Sequence, residues 1–172
     1  MSEADTPWAK LATRLIRVAL ARCDYGYADL IGALTAANIH ENERALVNRV
    51  SRGTVRLTLL LQILHVAGDV PPSLWTEALK AQGSWEGRAQ AIVAAELSRQ
   101  PWVTPEKLAQ RLAEIGAPIG EKTLVSHLNE GTLSLSLFLQ CITVLGSPSL
   151  DAYLPFNALI SAATSTMPAA VQ

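Results

Sequence analysis

Apolar residues recur every three or four positions along most of the chain, a spacing that places them on one face of an α-helix. This pattern predicts a helix over residues 8–22, followed by helices over 27–37, 42–51 and 57–67. Gly53 stands just after the third segment, where a helix commonly ends in a left-handed glycine. The fourth segment is apolar almost all round, which indicates a helix at the centre of a core.

The same pattern returns about 77 residues later, which indicates an internal duplication. Trp8 matches Trp85, and a one-residue shift near Tyr25 then aligns residues 30–68 with residues 108–146 without a gap. Thirteen of these 39 positions are identical, whereas composition alone would give roughly 2 to 4. In the second copy Thr104 and Pro105 form a helix start, with Thr104 as N-cap.

The predicted fold class is therefore all-α, a tandem duplication of a four- to five-helix, helix-turn-helix-like unit. The predicted organisation is a first repeat at 8–68, a linker at 69–84, a second, degenerate repeat at 85–154 and a C-terminal tail at 155–172. The linker carries Pro71-Pro72 and then a short apolar helix, whose Trp75 and Leu79 we expect to dock the two units together.

Composition supports packed helices and a location in the cytoplasm. Apolar residues make up 49% of the chain and aromatic residues only 5%, which favours helices over a β-sandwich. No apolar run approaches the roughly 18 residues of a membrane span, so no membrane association is expected. The two cysteines, Cys23 and Cys141, lack ligand-like spacing and are expected to be reduced thiols in a cytoplasmic protein.

Residues 42–53 resemble the recognition-helix segment of lambda-repressor/Cro-type helix-turn-helix proteins. The likeness lies in a polar helix start, two apolar residues three apart (Val47 and Val50) and a polar-basic-glycine exit. Residues 27–34 resemble the second helix of that family, and residues 57–68 the helix that packs beneath the pair. The repeat as a whole also resembles an uncharacterised bacterial domain family.

One departure from the helix-turn-helix pattern concerns the connection between the second and third helices. Leu34 and Val47 are thirteen residues apart, about two turns more than the short turn of that family requires. Either the second helix is longer, or an extra loop over 36–41 intervenes.

The resemblance implies binding of double-stranded DNA through the third helix of the first repeat. Arg44, Asn48 and Arg49 are expected to point outward, and Arg and Asn side chains pair with guanine and adenine edges. Arg52 and Arg56, at the helix exit, are expected to contact phosphates. The second copy carries Lys122, Ser126, His127, Glu130 and Ser134 at the five equivalent positions.

Charge divides unevenly between the copies. Residues 8–75 contain eight Lys/Arg against five Asp/Glu, a net +3, whereas residues 85–154 contain five against seven, a net −2. The first unit is therefore predicted to contact nucleic acid, and the second to serve as a surface for pairing or for a partner. The alternative explanation of the arginines is a solvated helix face.

Nothing in the sequence indicates an enzyme. His40, His65 and His127 share no HxxxH or CxxC partner, so neither a metal site nor a cofactor is expected. A glycine-rich phosphate loop and a nucleophile elbow are also absent from the sequence.

The leading hypothesis is a bacterial transcription regulator, more specifically a repressor, that binds duplex DNA through the first repeat. A homodimer or a second regulatory protein would strengthen the binding by a single recognition helix. The alternative is a non-enzymatic adaptor that uses the same scaffold to bind another protein. A monomer that contacts two consecutive grooves, with Lys122 in the second, is a third hypothesis.

Overall fold

The computed structural model describes residues 2–169, and within them the fold is all-α. The first copy contributes α1 (Pro7–Arg22), α2 (Tyr27–Ala36), α3 (Glu43–Arg52) and α4 (Leu57–Ala67). The connector contains a 3-10 turn at Ser73–Trp75 and α5 (Thr76–Lys80). The second copy contributes α6 (Trp85–Ser98), α7 (Pro105–Glu114), α8 (Glu121–Glu130) and α9 (Leu135–Leu145), and α10 (Phe156–Thr166) follows it. The predicted all-helical tandem duplication is confirmed.

Local sequence signals set the ends of the helices. The side chain of Thr6 accepts a hydrogen bond from the Ala9 amide over 3.1 Å and so caps α1. Thr104 caps α7 in the predicted way, accepting from the Lys107 amide over 3.2 Å. Gly53 and Gly131 end α3 and α8 in the left-handed conformation, with φ of 66° and 67°.

The two copies exchange helices rather than folding as separate units. Helix α1 packs against α3 and α4 of its own copy and also against α9 of the other. Helix α4 in turn packs against α6, the first helix of the second copy. One hydrophobic core, which includes Leu15, Leu60 and Ile142, therefore runs through both copies.

A short antiparallel bridge joins the copies at equivalent positions, Arg56 and Ser134. The amide of Leu57 donates to the carbonyl of Leu133 over 3.1 Å, and the amide of Leu135 donates to the carbonyl of Val55 over 2.8 Å. Each bond joins one residue to the residue two positions before its own counterpart in the other copy, as a local two-fold axis between the copies requires.

The connector docks onto the second copy through Trp75. Its side chain is fully buried, packs edge-on against Phe138 and donates a hydrogen bond from Nε1 to Glu96. Leu79, the other predicted docking residue, is half-buried against the core.

The predicted tail over 155–172 is different in the structure, where α10 occupies most of it. Leu159, Ala162 and Ala163 of α10 are buried, and the helix packs against α9 and α1. The Nε1 atom of Trp8 approaches Oγ1 of Thr166 at 3.3 Å. Small residues let α10 lie close to its neighbours, although they give only a weak hydrophobic pattern. Residues 170–172 of the predicted tail lie outside the described part of the chain.

The long connection between α2 and α3 is an added loop, the second of the two alternatives left open by the sequence. Helix α2 ends at Ala36, and Asn38 turns the chain with a left-handed φ of 60°. Asn42 then caps α3 by accepting from the Ala45 amide over 3.0 Å.

Across residues 2–169, none of the helices combines the length and the apolar character that a membrane crossing needs.

Candidate nucleic-acid interface

Helix α3 is held on the body of the protein through its C-terminal half. Leu46 and Val50 are fully buried, and the carbonyl oxygen of Val50 accepts a hydrogen bond from Oγ1 of Thr13 over 2.6 Å. Gly53 packs so closely on α1 that a Cβ atom there would lie 2.1 Å from the carbonyl oxygen of Ala9. Of the apolar residues of α3, Leu46 and Val50 therefore belong to the core, whereas Val47 is only half-buried.

Three of the five predicted DNA-binding residues share the outer face of α3. Arg44, Asn48 and Arg52 are exposed and follow one another at intervals of four residues, which aligns them along one side of a helix. This row lies opposite the buried Leu46 and Val50. The row faces solvent along the whole helix. A helix that is exposed in this way can enter a groove as wide as the major groove of DNA.

Arg49 does not join this row. Its guanidinium forms an ion pair with Glu41, in the loop before α3. The Arg49 side chain is 43% exposed. Arg49 is therefore engaged in a contact within the protein, unlike the three residues of the row.

Arg56 also lies apart from the row, at the junction of the two copies. It is the N-cap residue of α4 and forms the bridge with Ser134. Its side chain is exposed and lines an open cavity of about 590 Å³ to which both copies contribute. The other residues that line this cavity include Glu3, Trp8, Ile119, His127 and Gln140.

The second copy presents a different surface at the equivalent helix, α8. Lys122, Ser126 and Glu130 are exposed there, and Oγ of Ser126 donates to Glu130 over 2.8 Å. His127, the equivalent of Arg49, contacts Oγ1 of Thr132 through its Nδ1 at 3.0 Å. The same helix position thus carries a carboxylate where the first copy carries Arg52, and a carboxylate repels phosphate.

A polar cluster fixes the C-terminal end of α1, away from α3. The guanidinium of Arg22 bonds both carboxylate oxygens of Asp69, at 3.0 and 3.3 Å, and Tyr153 donates to the same carboxylate over 2.8 Å. The hydrogen bond from Arg22 is the largest cause that holds the pKa of Asp69 below its usual value of 3.8. This cluster joins α1 of the first copy, the connector and the segment before α10.

Three cations of α1 contribute to the net positive charge of the first copy, but the sequence did not indicate that they lie on the helix against which α3 packs. Lys10, Arg14 and Arg17 are all exposed on one face of α1, the helix that carries α3. Their spacing of four and three residues on the polar side of an amphipathic helix was the available signal.

The described residues contain no group of three or more His, Cys, Asp or Glu side chains arranged to hold a metal ion. Cys23 and Cys141 are free thiols. Burial raises the pKa of Cys141 to about 12.

The fold and the site define a class of protein: it is all-helical over the described residues, two copies of one unit share a core, and the first copy carries basic helix faces. The family model of a domain of unknown function, DUF6471, matches residues 8–69 and again residues 85–150. The chain therefore belongs to this family and contains two consecutive copies of its domain. No curated protein and no solved structure matches the chain. The resemblance to lambda-repressor/Cro proteins stays a prediction.

Proposed function

We propose that this protein is a DNA-binding transcription regulator, acting as a cytoplasmic repressor, that inserts α3 of the first copy into the major groove. The observation that carries the proposal is the exposed row of Arg44, Asn48 and Arg52. Arginine and asparagine form bidentate hydrogen bonds with guanine and adenine edges, and an α-helix fits the width of the major groove.

Part of the acidic charge of the first copy is neutralised within the protein, which favours an anionic partner. Two of the five acidic side chains of residues 8–75, Glu41 and Asp69, form ion pairs with arginines. Asp29 lies in the first turn of α2, where its carboxylate accepts from the Gly26 amide over 2.9 Å. Glu43 is the acid nearest to the row in sequence, at the start of α3.

A single basic helix binds DNA weakly, so we further propose that two chains pair on a palindromic site. We place the second recognition helix on a second chain rather than on the second copy, because the carboxylate of Glu130 stands where the first copy has Arg52. A second regulatory protein bound to the same site would serve equally.

The test is fluorescence-polarisation binding of purified protein to pools of genomic and random duplexes at two salt concentrations. The diagnostic variant is Arg44→Glu with Arg52→Glu, which reverses the row and leaves the Arg49–Glu41 pair intact. Lys80→Glu with Lys107→Glu is the control with the same change in charge on distant positions. Salt-sensitive binding that the first variant loses and the control keeps would support the proposal. No binding by the natural sequence at low salt would overturn it.

An adaptor function is the second candidate, and one feature of the second copy favours it. Trp102, in the connection between α6 and α7, keeps 60% of its surface exposed. Large exposed aromatic residues are enriched at protein interfaces. Under this alternative, Trp102→Ala would abolish the capture of a partner protein, and the Arg44/Arg52 reversal would leave that capture unchanged.

A further inference from the structure

The exposed face of α1 carries three cations next to the helix proposed to enter DNA. Lys10, Arg14 and Arg17 are exposed, and no ion pair involves them within residues 2–169. Their spacing places them along one stripe of α1, here called the α1 stripe. A run of like charges costs stability by mutual repulsion, so a solvated stripe of this kind gains from an anionic partner.

Two contacts place the α1 stripe beside α3. Thr13 bonds the Val50 carbonyl of α3, and Ala9 lies directly under Gly53 at the end of that helix. Lys10 and Arg14 each follow one of these contact residues, about 100° further around α1. The stripe therefore flanks α3 instead of lying beneath it or behind the core.

Acidic side chains lie mainly away from the stripe. Asp24 follows the C-terminal end of α1, seven residues after Arg17, which corresponds to about 10 Å along the helix and exceeds the screening length of roughly 8 Å at physiological salt. Glu3 and Asp5 precede α1 and are the acids closest to Lys10 in sequence, and the carboxylate of Asp5 accepts from Ser2. Arg14 and Arg17 are further from these acids along the helix.

The second copy shows that the fold does not need these charges. Helix α6 is the counterpart of α1 and makes the same close contact, with a Cβ at Gly131 meeting the Glu86 carbonyl at 1.9 Å. Where α1 has Lys10, Arg14 and Arg17, α6 has Gly87, Ala91 and Ala94. Both helices make this close contact, with or without the cations, so the three cations of α1 are not needed for it.

We propose that the α1 stripe is a second contact surface for duplex DNA and binds the phosphate backbone beside the groove that α3 occupies. This inference rests on the proposed function. Arginine binds phosphate with two parallel hydrogen bonds and lysine as a point charge, and neither contact depends on base sequence. The row on α3 then supplies selectivity, and the stripe supplies affinity that is the same for every sequence.

The test compares two triple variants in polarisation titrations across a series of salt concentrations. Lys10→Ala/Arg14→Ala/Arg17→Ala removes the stripe, and Lys80→Ala/Arg99→Ala/Lys107→Ala removes three cations elsewhere. Alanine favours helix at exposed positions, so circular dichroism should show both variants folded. Each is titrated against a selected duplex and a scrambled duplex of equal length.

Removal of the stripe should weaken binding to both duplexes by the same factor and leave their affinity ratio unchanged. The slope of log Kd against log salt should fall by about 0.9 for each phosphate that the variant no longer neutralises, hence by up to about 2.7. If the stripe variant matches the control variant while the natural sequence binds, the stripe has no role and α3 alone carries the interaction. If the natural sequence binds no duplex, the proposed function fails together with this inference.

Discussion

The indole Nε1 of Trp75 donates a hydrogen bond to Oε1 of Glu96 over 2.7 Å, which ties the connector to the second copy. Both side chains are buried, and the second carboxylate oxygen of Glu96 accepts from Oγ of Ser147 at 2.7 Å. A buried carboxylate is costly unless its oxygens are hydrogen-bonded, and both oxygens here have a donor. The connector is therefore a fixed part of the core.

Glu96→Ala is expected to lower the free energy of unfolding by about 2–4 kcal/mol, because it leaves the buried indole N–H without an acceptor. Glu96→Gln should cost much less. Its amide oxygen can accept from Trp75, and the Ser147 hydroxyl can turn to accept from the amide nitrogen. Urea unfolding followed by tryptophan fluorescence measures both. Equal decreases in the free energy of unfolding for the two variants would show that the hydrogen bond to Trp75 is not what stabilises the fold at Glu96.

Gly53→Ala and Gly131→Ala should each lower the free energy of unfolding by about 3 kcal/mol or more. The added methyl group would clash with backbone atoms of α1 or α6, which cannot move away as a flexible side chain could. Gly68→Ala and Gly146→Ala are matched controls. These glycines have the same left-handed conformation, but a Cβ there would meet open space. The control substitutions should lower the free energy of unfolding by only about 1–2 kcal/mol, which is the cost of a left-handed backbone conformation at a residue with a Cβ atom. Denaturant midpoints for the four variants separate close packing from backbone strain, and four similar values would contradict the close contact.

Protonation of Asp69 should loosen the cluster that it forms with Arg22 and Tyr153. The folded-state pKa of Asp69 lies below its ordinary value of 3.8, so the stabilisation is complete above that value and disappears as the pH falls through the lower, folded-state pKa. The stability difference between the natural sequence and Asp69→Asn should thus be constant near pH 7 and shrink in acid.

Substitution of its partners should shift this acid transition in a defined order. Arg22→Ala should move it to higher pH by more than Tyr153→Phe does, because the bond from Arg22 is the largest cause of the lowered pKa. Thermal denaturation between pH 2 and pH 7 provides the measurement. The reverse order would assign the main stabilising contact to the tyrosine.

The two thiols should differ in reactivity. Burial raises the pKa of Cys141 to about 12, so this thiol is almost entirely un-ionised at pH 8 and is also shielded from reagents. Burial raises the pKa of Cys23 as well, but this residue is only half-buried and a reagent can reach it. A disulfide reagent should label Cys23 in the folded protein, and Cys141 only after denaturation. Cys23→Ser should abolish the labelling of the folded protein, and Cys141→Ser should leave its rate unchanged. Rapid labelling of both thiols would mean that the core around α9 opens readily.

The sequence predicted the helices well because their signals are local. The bounds predicted for the fourth helix of each copy agree with Leu57–Ala67 and Leu135–Leu145, and Thr104 and Gly53 mark helix ends as expected. Capping and periodicity depend on neighbours within one or two turns, and these neighbours are visible in the sequence.

The partners of the helices could not be predicted in the same way. The apolar face of α1 shows that the helix is buried but not that α9 of the other copy covers part of it. Arg56 follows the basic helix in sequence, yet its backbone joins Ser134 at the junction of the copies. The sequence does not reveal that Arg49 is paired, because Glu41 lies in a loop whose course depends on the whole fold. Such pairings are set by tertiary packing.

The exchange of α1 and α6 between the copies has a consequence for how this protein can evolve. In an ordinary symmetric assembly a single gene encodes both subunits, so a substitution that makes one surface basic makes its mate basic too. Here each copy is encoded by its own part of the gene, so the two copies can acquire different substitutions. Neither copy can be lost, because both contribute to one hydrophobic core. Arg52 on one side and Glu130 on the other are thus compatible with the same architecture. Duplication has given this chain the packing of a symmetric pair together with the freedom to specialise its two faces separately.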